Sequence, residues 1–292
     1  MNTSLERVAK DIANLHQNEL DRIGIFHRTF FRCKVKASIE KKIDIKKYDG
    51  KLSFLRDMIG IRITFYFADD LAFAMKHIKE KFGSEYVEEK VDTKNTTEFK
   101  PERINLVFRV PEEYKTEFKD TIKDNRVDST YELQLRTVLS EGWHEVDHDL
   151  RYKFSAHWEE HNDLSRMFNG ILAALETNDW SIISLFNQLS YRHYKKMNID
   201  AMIRTKFRLR FAGDKELNSA LNLCLTEDKN LCKEIFKLER EEFLLNFARS
   251  RLKIPLTIDN IVYYINSNYL HSEKLFAITP KEILREIENS KN

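Results

Sequence analysis

The stretch "IGIRITFYF", residues 59–67, alternates without a break: Ile59, Ile61, Ile63, Phe65 and Phe67 fall on one side, Arg62, Thr64 and Tyr66 on the other. A period of two over this length predicts a β-strand with one face in a core and the other polar. The next segment, "ADDLAFAMKHIKEKF" (68–82), changes to helical spacing and opens with acidic residues, which a helix N-terminus favours. Upstream, Leu5, Val8, Ile12 and Leu15 predict a helix over 4–20. It is followed by an aromatic and β-branched strand in "IFHRTFFRCKV" (25–35) and a short helix in "ASIEKKI" (37–43). Downstream, "EYVEEKV" (85–91), "INLVFRV" (104–110) and "TYELQLR" (130–136) read as further strands. Interspersed strands and helices predict an α+β fold, a mixed β-sheet flanked by helices.

Past residue 137 the strand signals fade. "SRMFNGILAALE", "WSIISLFNQLSYRHY", "ALNLCLTEDKNLCKEIFKLEREEFLLNFARSRL" and "PKEILREIENS" all carry helical periodicity. Only 7 glycines and 4 prolines punctuate the chain, so no flexible linker, low-complexity segment or repeat is expected. A boundary at "YKKMNID" divides a first domain, 1–195, from a helical domain, 196–292. Within the second, "MIRTKFRLRF" (202–211) reads as an amphipathic helix with solvated arginines rather than a nucleic-acid contact.

At 292 residues with 42% hydrophobic and 12% aromatic content, the chain can fill a sizeable core. Its 49 Lys and Arg balance 47 Asp and Glu, a net charge of +2, so any phosphate-binding charge is local. The 3 cysteines lack the CxxC spacing of a zinc site and do not form a disulfide framework. The N-terminus has no apolar core like that of a signal peptide, and no run approaches the roughly 20 apolar residues of a membrane span, so the chain is read as soluble and cytoplasmic.

"TYELQLRT" also places Glu132, Gln134 and Arg136 on one strand face: a carboxylate, an amide and a guanidinium. Such a face suits the wall of a polar cleft. Around the strand-to-helix junction near residue 35 stand Arg32, Lys34, Ser38 and Lys42. Cationic tips, a hydroxyl and helix N-terminal amides can together neutralise a polyphosphate, although a basic run is also an ordinary solvated face. Asp57 lies at the mouth of the alternating strand and Glu132 within another, so neighbouring strands can bring two carboxylates towards one Mg²⁺ that also holds substrate phosphates. Alone, Asp57 reads equally as a turn or helix cap.

Four constellations occur in order: R-x-K-x-x-x-S-I-x-x-K (Arg32 to Lys42), D-x-x-G-x-R (Asp57 to Arg62), E-x-Q-x-R-T (Glu132 to Thr137) and W-x-x-x-x-H-x-x-x-Y-K (Trp143 to Lys153). Together they resemble the synthetase domain of the RelA/SpoT-type alarmone synthetases, over roughly residues 30–155. The resemblance implies a nucleotidyltransferase-like fold that binds ATP with Mg²⁺ and moves its β,γ-pyrophosphate to a ribose 3′-hydroxyl. By the same resemblance, Asp57 and Glu132 hold the metal and serve catalysis, Arg32 and Arg62 sandwich the adenine, and Lys34, Ser38 and Lys42 hold the phosphates. The family's guanine-stacking segment, G-Y-x-S-x-H, is replaced here by "EFKPERINLVFRVP". Pro101 falls near the tyrosine position and Asn105 at that of the histidine, while Phe99 offers a neighbouring π-face. The donor half therefore reads as intact and the acceptor half as altered. Lys100, Arg103, Asn105, Gln134, Arg136 and His148 are the acceptor-binding candidates, and the acceptor is another nucleotide or the 3′ end of an RNA such as tRNA. Small members of the family often carry appended regions for oligomerisation or control, and some act as toxins or in phage defence, so a homo-oligomer or a regulatory protein partner enters as an expectation.

Three other readings compete. The same carboxylate pair can direct attack on an α-phosphate and make a nucleotidyl linkage. A fold that has lost turnover would leave a nucleotide-sensing module, against which stands the retention of every donor-side charge. "HEVDH" (144–148) and "HWEEH" (157–161) match short zinc-protease patterns that need two histidines on one helix face; without an evident third ligand they read as chance matches.

Overall fold

The computed structural model describes residues 3–48, 50, 53–91 and 104–290, the side chains at 3, 36–38, 41 and 91 excepted. The chain forms two compact units, one of Met1–Glu19 with His27–Asp179 and one of Leu20–Phe26 with Trp180–Asn292. The second unit thus starts upstream of residue 195 and takes in a short N-terminal segment.

The first unit is built on a five-stranded sheet. Its strands are β1 (His27–Cys33), β2 (Ile59–Phe65), β3 (Tyr86–Val91), β4 (Ile104–Arg109) and β5 (Thr130–Thr137), in the order β1-β2-β5-β4-β3. The β2–β5 pair is parallel and the others are antiparallel, so the sheet is mixed, as the sequence predicts. Alternation decides its faces. Ile59, Ile61, Ile63 and Phe65 of β2, Leu133 and Leu135 of β5, and Leu106 and Phe108 of β4 are all buried on one side.

Helix α1 (Thr3–Ile23) covers that side, with Val8 and Ile12 fully buried. His16 on α1 meets the Tyr131 hydroxyl at 2.9 Å and packs against the rings of Phe82 and Phe108. Helix α2 (Lys36–Lys46) follows β1, and α3 (Asp69–Lys81) follows β2 and buries Phe73, Ala74 and Ile78. A His77–Glu19 contact of 2.9 Å ties α3 to α1. Helix α4 (Glu112–Ile122) precedes β5, and its Glu117 accepts from Ser4 and Arg7 of α1.

On the opposite, polar side lies α5 (Val138–Val146), which starts where β5 ends. Thr137 caps it by accepting from the Ser140 amide at 3.1 Å, while the Ser140 hydroxyl accepts from the Thr137 amide at 3.2 Å. This reciprocal box satisfies amides that a helix start leaves open. A π-helical turn, Asp147–Tyr152, continues α5, and then α6 (Asn162–Lys195) runs unbroken. The two helical stretches read from the sequence are therefore one helix. The polar "TND" between them does not break it, because Thr177 donates back to the Ala173 carbonyl at 2.9 Å and Asp179 accepts from Thr137 at 2.6 Å.

The second unit is helical, as expected: the end of α6, then α7 (Ile199–Phe207), α8 (Ser219–Glu227), α9 (Lys229–Lys237), α10 (Arg240–Ser250), α11 (Ile258–Ile265), α12 (Glu273–Ile278) and α13 (Lys281–Asn289). Asn218, Asp228 and Thr257 cap α8, α9 and α11 with side-chain oxygens. Met202, Phe207, Leu225, Ile235, Phe243 and Val262 form its core, with Phe207 and Phe243 centroids 4.4 Å apart. The 202–211 stretch corrects the expected solvated helix: α7 stops at Phe207, and Arg208 is 3% exposed in a left-handed conformation. Periodicity placed the helix but could not show what packs over its end.

Candidate active site

The polar face of the sheet is assembled by register. Arg32 of β1, Gly60 of β2 and Glu132 of β5 stand side by side, and the next row holds Phe30, Arg62, Gln134 and Asn105. The Arg32 side chain passes over Gly60, where a Cβ would lie in ordinary contact with it at 3.5 Å. A cavity of about 400 Å³ opens here, lined by Phe30, Phe31, Arg32, Gly60, Ile61, Arg62, Gln134, Glu141 and Glu145. An adjoining cavity of about 240 Å³ shares Arg32, Arg62, Gln134, Glu141 and Glu145, and adds Asn105, Arg136, His144, Asp147, His148 and Tyr152.

Arg62 is the hub between them. Its Nε donates to Gln134 Oε1 at 3.1 Å, and its Nη1 donates to both Glu141 and Glu145 of α5. Burial opposes its charge, but the two carboxylates outweigh burial and hold the guanidinium pKa above its ordinary value. Gln134 in turn donates to Glu132 Oε1 at 3.4 Å, so one polar chain runs from Glu132 to α5. Glu141 and Glu145 were not singled out from the sequence. Their i, i+4 spacing puts both on one face of a helix, a signal that needed the position of Arg62 to acquire meaning.

Asp57 sits just before β2, where its Oδ2 accepts from Lys42 at 2.5 Å and pairs with Lys34 at 3.2 Å. Burial alone would raise its pKa; Lys42 and Lys34 outweigh that and lower it. Its other oxygen, Oδ1, is buried with no hydrogen-bond partner among the described residues. An orphaned, ionised oxygen of this kind fits a cation ligand. Glu132 pairs with Gly60, three residues beyond Asp57, or about 10 Å further along a strand. Both acids lie at the N-terminal end of the parallel β2–β5 pair, and Asp57 belongs with the lysines rather than with the cavity wall.

The structure thus brings together Arg32, Arg62, Gln134 and Asn105 at the cavities, and Lys34, Lys42 and Asp57 beside them. Ser38 falls on α2 with its side chain outside the described residues, and Phe99, Lys100, Pro101 and Arg103 lie outside them altogether. Arg136 lines the smaller cavity but is 5% exposed and donates to the Ile104 and Leu135 carbonyls and, at 3.0 Å, to Asn105 Oδ1. It fastens β4 to β5 rather than reaching outward. His148 and Tyr152 are exposed at 47% and 73%, with their rings stacked at 6.2 Å. Trp143 instead turns inward, donating to the Phe168 carbonyl at 2.8 Å, with Arg151 over its ring, and so anchors α5 on α6.

Neither histidine pattern falls within a single α-helix. His144 is buried on α5 while His148 lies on the π-helical turn, and the "HWEEH" stretch runs from a 3₁₀ turn, Ser155–His157, to the residue before α6. Among the described residues no group of three or more His, Cys, Asp or Glu side chains could hold a metal ion. Mg²⁺ needs fewer protein ligands where phosphates supply the remainder.

Residues 31–157 match the family model described as the region found in RelA / SpoT proteins, which encloses all four constellations. Similar solved structures include small alarmone synthetase 1 from Bacillus subtilis, at 19% identity and TM-score 0.46, covering 61% of this chain and 92% of that one. Small alarmone synthetase 2 from Bacillus subtilis follows at 18% and 0.44, covering 62% and 91%. A GTP pyrophosphokinase family protein from Streptococcus pneumoniae matches at 15% and 0.44, covering 61% and 87%. The first of these has also been solved bound to AMPCPP and bound to its product pppGpp. No curated protein matches the chain.

Proposed function

We propose that the chain, through its RelA/SpoT region, is a transferase that takes ATP and moves the β,γ-pyrophosphate to a 3′-hydroxyl of a nucleotide or RNA acceptor in the cytoplasm. One observation carries this reading: Arg32 and Arg62 face one cavity, while two residues along from Arg32 a lysine pair surrounds an acid with an orphaned oxygen. Planar guanidiniums suit a purine, with which they stack as lysines do not. Lys34 and Lys42 suit the triphosphate, and Ser38 would join them from α2. Mg²⁺, held by Asp57 and Glu132, would supply charge neutralisation at the β- and γ-phosphates.

The chain's own residues then position the reaction. The acceptor 3′-oxygen loses its proton to Glu132 and forms a bond to the β-phosphorus; the bond from that phosphorus to the oxygen bridging it to the α-phosphate breaks, and AMP leaves. This chemistry demands in-line placement and charge neutralisation rather than a protein nucleophile. The smaller cavity, with Asn105, His148 and Tyr152, is where we place the acceptor, with Lys100 and Arg103 as its phosphate contacts. The sequence has Pro101 near the place of the family's stacking tyrosine, and this supports an acceptor other than the usual guanosine nucleotides.

The test incubates the purified protein with ATP, Mg²⁺ and panels of ribonucleotides, deoxyribonucleotides and tRNA, and weighs the products by mass spectrometry. An acceptor gaining two phosphates, with AMP released, is expected. Asp57→Ala and Glu132→Ala should each lower the rate by about 100-fold or more. Variants as active as the native chain would remove the metal assignment, and release of inorganic pyrophosphate with AMP joined to the acceptor would establish nucleotidyl transfer instead.

A further inference from the structure

The π-helical turn after α5 has two sides. Asp147 and Arg151 form the inner one: Asp147 is 6% exposed and accepts from Arg151 at 2.6 Å, while Arg151 also donates to Asn169 Oδ1 at 2.9 Å and lies over the rings of Trp143 and Phe168. His148 and Tyr152, each one residue further along, form the outer side and line the smaller cavity. The turn is thus fastened to α6 from beneath while its outer side stays open.

Three aromatic rings line that cavity, and they are not equivalent. His144 is buried, and the His148 ring lies nearly parallel to that of Tyr152, at 15° with centroids 6.2 Å apart. An offset stack of this kind backs one face of the tyrosine and fixes its tilt. Tyr152 is 73% exposed, so its other face is open to a ligand. It also borders a further open cavity of about 360 Å³, with Trp158 and Ser155.

A fixed, open aromatic face suits the flat face of a nucleobase. Base–aromatic stacking tolerates any base, because every base has a π-face, and a ring already held in orientation loses little freedom when a ligand arrives. Ribose and phosphate gain nothing from such a surface. Phe30 and Phe31 line the larger cavity beside Arg32 and Arg62, so the donor and acceptor ends of the site carry separate aromatic walls.

We infer that Tyr152 is the stacking platform of the acceptor site, which binds its acceptor by the face of a base and therefore takes only acceptors that carry one. This rests on the smaller cavity being the acceptor site.

The test fills the donor site with AMPCPP and Mg²⁺, since the methylene joining its α- and β-phosphorus blocks the transfer. Calorimetry then measures binding of AMP, GMP, CMP, UMP, tRNA and the baseless ribose 5-phosphate to the full chain and its Tyr152→Phe, Tyr152→Ala and Leu150→Ala variants. At least one base-bearing probe should bind the native chain about 10-fold or more tightly than ribose 5-phosphate. Tyr152→Phe, which keeps the ring, should stay within about 2-fold of native, whereas Tyr152→Ala should weaken every base-bearing probe that binds by about 10-fold and leave AMPCPP unaffected. Leu150→Ala, an exposed position on the same turn, should change neither affinity, which separates loss of the ring from disturbance of the turn. If Tyr152→Ala binds the probes as the native chain does, or Tyr152→Phe loses as much as the alanine variant, the stacking inference fails. If the AMPCPP-loaded chain binds none of the probes, or ribose 5-phosphate as well as the nucleotides, the inference fails while the ATP site stands; if the chain does not bind AMPCPP, the proposed function falls with it.

Discussion

Asp57 shows how one residue can look like a cap in sequence and a charge centre in space. Lys34 reaches it from the end of β1, and Lys42 from the second turn of α2. Removing the charge would leave two ammonium groups facing one another, so Asp57→Asn should cost about 1 kcal/mol of stability at pH 7. The carboxyl pKa is lowered, so this contribution is present above the ordinary carboxylate value and lost as pH falls through the lowered one. Urea titrations of both proteins should therefore begin to converge below about pH 4 and meet only below the lowered pKa. His16 behaves in the same sense for a different reason. Burial alone holds its pKa down at about 3, with the ring neutral against Tyr131. The unfolded chain takes up this proton from about pH 6.5 downwards, so folding stability falls between 6.5 and 3. His16→Gln should flatten that acid limb, read by urea midpoints at half-unit steps; an unchanged limb would show that other groups govern it. The family resemblance carried by the four constellations pointed to Asp57, Arg32 and Arg62, because the order and intervals of charged residues are visible in a sequence. Glu141 was not visible, since its value comes from Arg62, a residue on a different element.

Among elements, the strands were the most legible, because alternation in "IGIRITFYF" and "TYELQLR" dictates which side of each is apolar. Alternation does not say what covers the polar side. Arg136 shares its strand face with Glu132 and Gln134, yet it is buried, and its guanidinium became a fastener for the carbonyls of Ile104 and Leu135. The π-helical turn after α5 was equally hidden, as its one-residue shift in hydrogen bonding leaves no composition signal. Helix α5 is where element and site meet, since its capping box fixes the helix that carries Glu141 and Glu145. Thr137 is doubly held, capping α5 and donating to Asp179. Thr137→Ala should lower stability by about 1 kcal/mol and weaken ATP binding several-fold through Arg62, whereas Thr137→Ser should restore most of both. Thermal melts with ATP titrations would check this, and binding unaffected by the alanine variant would mean that α5 does not position the site.

For the whole molecule, the near balance of charge meant that no global field advertised a phosphate ligand, and the local pattern had to do so. The strand order was not legible either. A parallel pairing of β2 with β5 links residues about 70 apart in the chain, and sequence periodicity carries no record of such long crossovers. The second unit draws residues 20–26 from the start of the chain: the Gly24 carbonyl accepts from the Arg210 amide at 2.7 Å, and Arg22 donates to the Ala248 carbonyl. Gly24 has φ +81°, and a Cβ there would run into the Leu256 side chain. Gly24→Ala should therefore destabilise the protein by about 1 kcal/mol or more, measurable by chemical denaturation.

The central claim is that this sheet face moves the two outer phosphates of ATP together. Following the fate of ATP labelled separately at the α- and γ-phosphates tests it most directly, in one reaction with an accepting nucleotide or tRNA. The account predicts that the γ label appears on the acceptor and the α label in free AMP. Finding the α label on the acceptor, with the γ label in inorganic pyrophosphate, would contradict it.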